Sequence, residues 1–377
     1  MSDFPIYASR RVRTTPFTQR VEECGLSSYT VYNHMLLATS FASLEEDYSH
    51  LKEYVQIWDV AVERQVELKG PDAHKLVDLM STRDLRKAAA GKCYYSPITD
   101  ANGGILNDPI ILCLAPDRFW FSIADSDLLY WALGLKEGLK LDVEIFEPDV
   151  SPLAVQGPWA VDLMETVFGN KITDLKFFNF DYFDWRDQKL LIARSGWSKQ
   201  GGYEIYLHDS SLGLQLWDDI WQAGEPFSLR AGCPNLIERI EGGLLSYGND
   251  MTRSDTPLEC GLEKYCDLDS NSDFIGKSAL VNQKQRGIER SLAGLRIDGP
   301  PIRRLKETAR CRQNEKDCGY VTSAAFSPDF DSNIAIAMIS TRISRDEEYI
   351  EVLIEDEWRM AVCLSLIHIS EPTRRTI

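Results

Sequence analysis

Strand-like and helix-like stretches alternate without an internal repeat over the first 285 residues, and the remainder of the chain reads almost wholly as strands and turns. That interleaving argues for a mixed α and β architecture. A chain of 377 residues that is 44% apolar can bury more than one core. Gln65-Val-Glu-Leu-Lys69 alternates as a strand, and Gly70-Pro-Asp-Ala73 opens a helix in which Leu76, Val77 and Met80 share a face, leaving His74 toward the surface. Arg118-Phe-Trp-Phe-Ser-Ile123 has the aromatic and β-branched content of a strand, and Asp125 and Asp127 are N-cap candidates for a helix starting at Leu128. Leu216 with Ile220 and Trp217 with Trp221 are each four apart, which predicts a helix that buries both tryptophans and stops at Gly224. The charged run Asn282 to Arg290 reads as a linker, so a boundary is expected near residue 286, with a small β-domain over 286–363. Leu364-Ser-Leu-Ile-His-Ile-Ser-Glu-Pro-Thr-Arg374 resembles the translation of a transposon-end adaptor, so residues 364–377, His368 included, are expected to be foreign to the fold.

The charge balance and the residue inventory remove several function classes. Forty-one basic against 58 acidic residues give a formal charge of −17, which repels phosphate backbones and disfavours nucleic acid as a partner. Nine cysteines without a C-x-x-C pair signal neither a disulfide framework nor a zinc site, and the five histidines show no metal-ligand spacing. No stretch reaches the roughly 18 apolar residues of a membrane span, and the first twenty residues lack the continuous apolar run of a secretory leader, so none is expected. A cytoplasmic protein without metal or membrane is expected, with a homodimer as the assembly kept open.

Three segments could carry chemistry. In Gly103-Gly-Ile-Leu-Asn-Asp-Pro109 the proline cannot donate to a ladder and biases Asp108 toward extended backbone, where its carboxylate can face a cleft; a plain turn is the alternative. In Ala193 to Leu207, two apolar strands flank a loop rich in glycine that carries Trp197. Alternation after Gly202 puts Tyr203, Ile205 and Leu207 on one face and Glu204 with Tyr206 on the other. A carboxylate, a phenol and an indole together suit a flat ring or an onium cation, whereas the bland alternative is a solvent-facing hairpin. In Glu238 to Asp250, apparently a helix running to near Gly248, Arg239 could grip a carboxylate bidentately or sit in a structural ion pair.

Taken in order, Trp58-Asp-Val60, Gly70-Pro-Asp72, Gly103 to Asp108, Leu153-Ala-Val-Gln-Gly-Pro158, Gly202-Tyr-Glu-Ile205, Arg239-Ile-Glu-Gly-Gly243, Phe274-Ile-Gly-Lys277 and Gly319-Tyr-Val-Thr-Ser323 resemble the aminomethyltransferase (glycine-cleavage T-protein) family over nearly the whole chain. Val31-Tyr-Asn-His-Met-Leu-Leu37, Trp58 to Val66, Trp120 to Asp127, Glu147 to Pro152 and Arg194 to Gly202 resemble its demethylating branch. The resemblance implies an α+β, three-domain ring around a central folate channel, closed by a C-terminal β-barrel. It also implies that Glu204, Tyr95 and Arg239 bind the folate, that Asp108 is the catalytic carboxylate close to folate N5, and that Trp197, Tyr206, Ser122 and Tyr32 bind the methyl donor.

The implied reaction is an in-line displacement in which a methyl passes from the sulfonium of zwitterionic dimethylsulfoniopropionate to N5 of tetrahydrofolate, giving 3-(methylthio)propanoate and 5-methyltetrahydrofolate. A sulfonium is already activated, so positioning supplies most of the rate and no metal is required. Trp197 and Tyr206 are expected to hold the cation by their π-faces. Asn179, in Lys176-Phe-Phe-Asn-Phe180, stands where a further aromatic of that pocket is expected. Other readings of the same scaffold are demethylation of a betaine or methyl ether, glycine-cleavage aminomethyl transfer with a lipoyl carrier protein, and a non-catalytic folate-binding assembly factor.

Overall fold

The computed structural model describes residues 9–343, 348–366 and 369. Two antiparallel-rich sheets and a closed barrel make the frame. The first sheet has five strands in the order Glu144–Phe146, Gln65–Lys69, Arg118–Ser122, Ile110–Ala115, Lys92–Tyr95. The second has six, in the order Phe180–Trp185, Gln188–Ala193, Gly202–His208, Val150–Gln156, Gln56–Asp59, Arg230–Gly232, with only the last pair parallel.

Strand alternation decides which face each sheet turns to helices and which to the other sheet. Phe119 and Phe121 join Leu76, Val77 and Met80 of helix Ala73–Met80 in one core. Tyr203, Ile205 and Leu207 join Leu163, Leu216 and Trp217 in another. The residues between them point the opposite way: Trp120 and Leu112 of the five-stranded sheet pack against Tyr206, Leu191 and Ala193 of the six-stranded one. Polar residues on those inward faces, Ser122 and Glu204 among them, are therefore enclosed between two sheets rather than exposed on a hairpin.

The barrel runs Arg290–Ile297, Ser332–Ser340, Lys316–Ser327, Ala309–Gln313, Tyr349–Ile354, Glu357–Leu364 and closes by pairing its first and last strands. Its outer residues Ala325, Ile334, Ile336 and Met338 dock on Ile237, Ile240 and Ile105, which ties the barrel to the two-sheet body.

Local structure departs from expectation at identifiable places. The charged run after residue 282 is helical as far as Arg286, in helix Lys277–Arg286, which buries only Leu280 and so shows little apolar periodicity. The helix expected to reach Gly248 is Leu236–Glu241. It ends early because Gly243, at φ 61°, closes a C-terminal turn in which the Leu244 N–H donates to the Arg239 carbonyl. Asp127 sits at the N-cap of Leu128–Leu139 without capping it; its carboxylate takes Arg64 and His34 instead. His74 is half-buried, its ring nitrogen 2.8 Å from the Leu85 carbonyl oxygen. Trp221 stacks on Trp217 but stays 37% exposed. The final strand reaches Leu364, paired with Gly294, and Leu366 and Ile369 pack beside Met338; His368 lies outside the described residues.

Candidate active site

The site forms where four segments converge on the space between the sheets. Strands Ser28–Tyr32 and Met35–Ser40 are joined by Asn33 and His34, both with positive φ, the geometry of a tight two-residue hairpin turn. Asn33 pins that tip inward: its N–H donates to Asp125 at 2.7 Å and its Nδ2 to the carbonyls of Val62 and Ile123. Tyr32 is thereby held near Glu63 and Asp108, whose charges act on its phenol.

Asp108 lies between strands Ile105–Asn107 and Ile110–Ala115. Asn107 fixes the approach by exchanging hydrogen bonds with both backbone groups of Ala124. Tyr95, opposite Ile110, donates its hydroxyl to Asp108 Oδ2 at 3.0 Å, while Oδ1 is buried with no partner among the described residues. Burial pushes the Asp108 carboxyl up to about 7, against the opposing pull of the Tyr95 hydrogen bond.

Glu204 occupies the inward face of strand Gly202–His208, with Ala193 and Ala154 as its cross-strand neighbours. Two such small side chains leave room beside the carboxylate. Ser195 Oγ donates to Oε2 at 2.6 Å and the Tyr206 hydroxyl to the same oxygen at 3.1 Å, so Oε1 is left for a ligand. Tyr206 itself is fully buried against Trp120, centroids 6.0 Å apart. Its ring therefore presents no face to a cation, contrary to expectation; its hydroxyl positions Glu204.

The loop carrying Trp197 wraps the side chain of Gln156, which donates to the Ser195 carbonyl and accepts from Ser198. A Cβ at Gly196 or Gly202 would stand within 2.5 Å of that amide, which is why this loop needs glycine there. Arg239 lies with its guanidinium 5.8 Å from the centroid of the half-buried Trp197 ring. Its nitrogens are committed to Asp250 at 2.7 Å, the Leu244 carbonyl and Ser323 Oγ. These contacts take three of its five N–H donors, and through them Arg239 backs Trp197 and ties it to the barrel. Ser122, 4% exposed, is likewise engaged between Gln65 and Glu63.

Sequence reasoning missed Glu63. It lies within the string Trp58 to Val66, but an isolated carboxylate before a strand carries no local signal of where it points. Burial and the Glu204 charge hold its carboxyl well above the usual carboxylate range, and its charge adds to the burial that raises the phenols of Tyr32 and Tyr206. Asn179, where an aromatic was expected, is half-buried and bonded through its backbone to Lys176 and Arg194; the adjacent Phe178 packs against the cluster around Tyr206.

A family profile described as the GCVT N-terminal domain matches residues 17–270, and one described as the glycine cleavage T-protein C-terminal barrel domain matches 290–367. The chain belongs to the glycine-cleavage T-protein (aminomethyltransferase) family. Within it, the chain is 52% identical to the dimethylsulfoniopropionate demethylase of Ruegeria pomeroyi over 336 residues, covering 89% of this chain and 91% of that one. It is 27% identical to an aminomethyltransferase of Thermoanaerobacter sp., over 87% of this chain and 90% of that one. The crystal structure of the glycine cleavage aminomethyltransferase of Bartonella henselae superposes with a TM-score of 0.85 at 22% identity, over 96% of this chain and 99% of that one, so the three-domain fold with its C-terminal barrel is shared.

Proposed function

We propose that the protein is a tetrahydrofolate-dependent demethylase that moves a methyl group from dimethylsulfoniopropionate to N5 of tetrahydrofolate, releasing 3-(methylthio)propanoate and 5-methyltetrahydrofolate. The likeness to the Ruegeria pomeroyi enzyme supports the choice of donor. The observation that carries the reading is the enclosed set of Glu63, Asp108 and Glu204, none of them ion-paired to a basic side chain among the described residues, with Trp197 two residues along the chain from Ser195, the donor to Glu204, an arrangement matched to a cation.

The residues present also fit a reduced pterin. Glu204 Oε1 can accept from pterin N–H groups, and the orphaned Asp108 Oδ1 can accept from an amine. When bound, tetrahydrofolate supplies N5 as the nucleophile. Glu204 anchors the ring, and Asp108, steadied by Tyr95, orients the N5 region and takes the proton released when the methyl arrives. Trp197 offers the cation a π-face. Tyr32, kept protonated by its raised pKa, can donate to the carboxylate end of a zwitterion. All nine cysteines are free thiols, which suits a reducing compartment such as the cytoplasm. Among the described residues no helix is long and apolar enough to cross a membrane.

A methyl-donor panel followed by mass spectrometry for 5-methyltetrahydrofolate tests the reading. Dimethylsulfoniopropionate should be the efficient donor, with glycine betaine and aryl methyl ethers poor; turnover of a betaine alone would overturn the donor assignment, and no methylfolate from any donor would overturn the class.

The ionised form of Asp108 is the one that takes a proton, and its carboxyl sits at about 7. Hence kcat/KM should rise with pH below about 7 and level off above it, and Asp108→Asn should flatten that limb while lowering the rate about 100-fold or more. For stability the sign is opposite. A carboxyl raised by folding favours the folded state at low pH, and that contribution is lost as pH climbs from about 4 to about 7. Asp108→Asn should therefore melt no lower than the parent protein at pH 8, measured by a thermal scan.

A further inference from the structure

The three site carboxylates differ in what holds them. Glu204 receives two short donors on one oxygen, and Asp108 receives one from Tyr95. Glu63 receives a single long contact, 3.5 Å, from Ser122 Oγ. Donor direction is fixed along that chain: the Gln65 amide donates through Nε2 to Ser122 Oγ at 3.0 Å, which leaves the Ser122 proton to point at Glu63. Gln65, at 0% exposure, also donates to the Glu63 carbonyl, so strand position and hydroxyl orientation are set together.

The charged and titratable groups around Glu63 are Glu204, Tyr206 and Asp108 from the neighbouring strands and Tyr32, with Asp125 beyond it, from the hairpin tip. None is basic. Arg64, adjacent in sequence, is directed away to Glu147 and Asp127, and Arg239 is neutralised by Asp250. Two like charges in one desolvated space cannot both ionise cheaply, and the better-donated member keeps its charge. That member is Glu204.

On the reading that the donor is a sulfonium zwitterion, we infer that Glu63 is the counter-ion that selects a cationic donor, holding a proton in the free site and releasing it when the onium group arrives. The balance closes over a turnover. Binding sends one proton from Glu63 to solvent. Transfer then breaks the S–CH3 bond, leaves its electron pair on sulfur and forms N5–CH3 with loss of the N5 proton. With the cation gone, Glu63 regains a proton, and one proton is released overall. A neutral thioether product has no charge to keep Glu63 ionised, which favours its departure.

Calorimetric titration of dimethylsulfoniopropionate into the full-length protein without folate, in buffers of different ionisation heat at pH 8, where the Asp108 carboxyl at about 7 is already ionised, counts the protons released. The parent protein should release close to one per donor bound, whereas 3-(methylthio)propanoate should release none. Glu63→Gln should abolish the release and raise the KM for the donor by on the order of tenfold to a hundredfold, with the KM for tetrahydrofolate unchanged. Glu63→Asp should restore part of both, and an unchanged melting temperature of Glu63→Gln excludes misfolding as the cause. Absence of proton release in the parent, or its persistence in Glu63→Gln, overturns the role of Glu63. Failure of the parent to make methylfolate from this donor instead overturns the functional reading, and the same proton count with glycine betaine then tests Glu63 as an onium counter-ion separately.

Discussion

Glu204→Ala should reduce folate-dependent methyl transfer by on the order of a hundredfold to ten-thousandfold in kcat/KM, the consequence of losing two charge-assisted hydrogen bonds of about 1.5–3 kcal/mol each. Ala193 and Ala154 flank the position, so neither cross-strand neighbour can replace the carboxylate. The loss should fall chiefly on folate: calorimetry should find tetrahydrofolate binding weakened far more than donor binding. Tyr206→Phe provides the graded control. It removes one of two donors to Oε2 while leaving the packing on Trp120, so activity should fall by about tenfold, the value of one such bond. Global stability should not follow the same order, since Glu204 is a buried carboxylate whose burial opposes its charge. A Glu204→Ala protein that still made methylfolate at the parental rate would remove Glu204 from the folate site.

The fold was legible where periodicity and burial agree. Leu76, Val77 and Met80 marked a helix because one of its faces is apolar, and Glu204 and Tyr206 were separable from Tyr203, Ile205 and Leu207 by period-two alternation. Periodicity could not tell that both faces of that strand are buried, because the covering of the second face comes from a different sheet. The helix Lys277–Arg286 was misread for the converse reason: a helix that buries one leucine leaves almost no apolar pattern. Where chain reversal depends on a single positive-φ glycine, as at Gly243, nothing in the local pattern sets it apart from Gly248, where the helix was expected to end.

Within the site, Asp108 could be noticed because Pro109 interrupts a strand, and Trp197 because glycines surround it. The role of Tyr206 was not visible, since an aromatic that packs and an aromatic that receives a cation look alike in sequence. Glu63 was missed altogether. What makes it unusual is the approach of Glu204, from a distant part of the chain, and the direction in which Gln65 and Ser122 donate. Long-range electrostatics of this kind leave no local signature.

The Arg239 pair behaves as the joint between the site and the barrel, and Asp250→Ala should destabilise the protein by about 3–5 kcal/mol, the cost of stranding a buried charge. Asp250 gathers Arg239 Nη1, the Ser246 N–H, and the hydroxyls of Thr322 and Ser323, and its side chain is inaccessible to solvent. Removing it leaves those donors unsatisfied and releases the guanidinium that backs Trp197. The barrel strand Lys316–Ser327 would lose two of its polar anchors to the rest of the chain. The unfolding midpoint in urea should fall, and the KM for the methyl donor should rise as Trp197 loosens. Arg239→Met in the same chain should recover much of the stability, because an apolar side chain of similar length needs no counter-charge, yet it should not restore the KM. If the double variant is no more stable than Asp250→Ala alone, the cost lies in the orphaned hydroxyls and N–H rather than in the stranded charge. If Asp250→Ala alone retains the parental midpoint, the pair does not hold the barrel to the site.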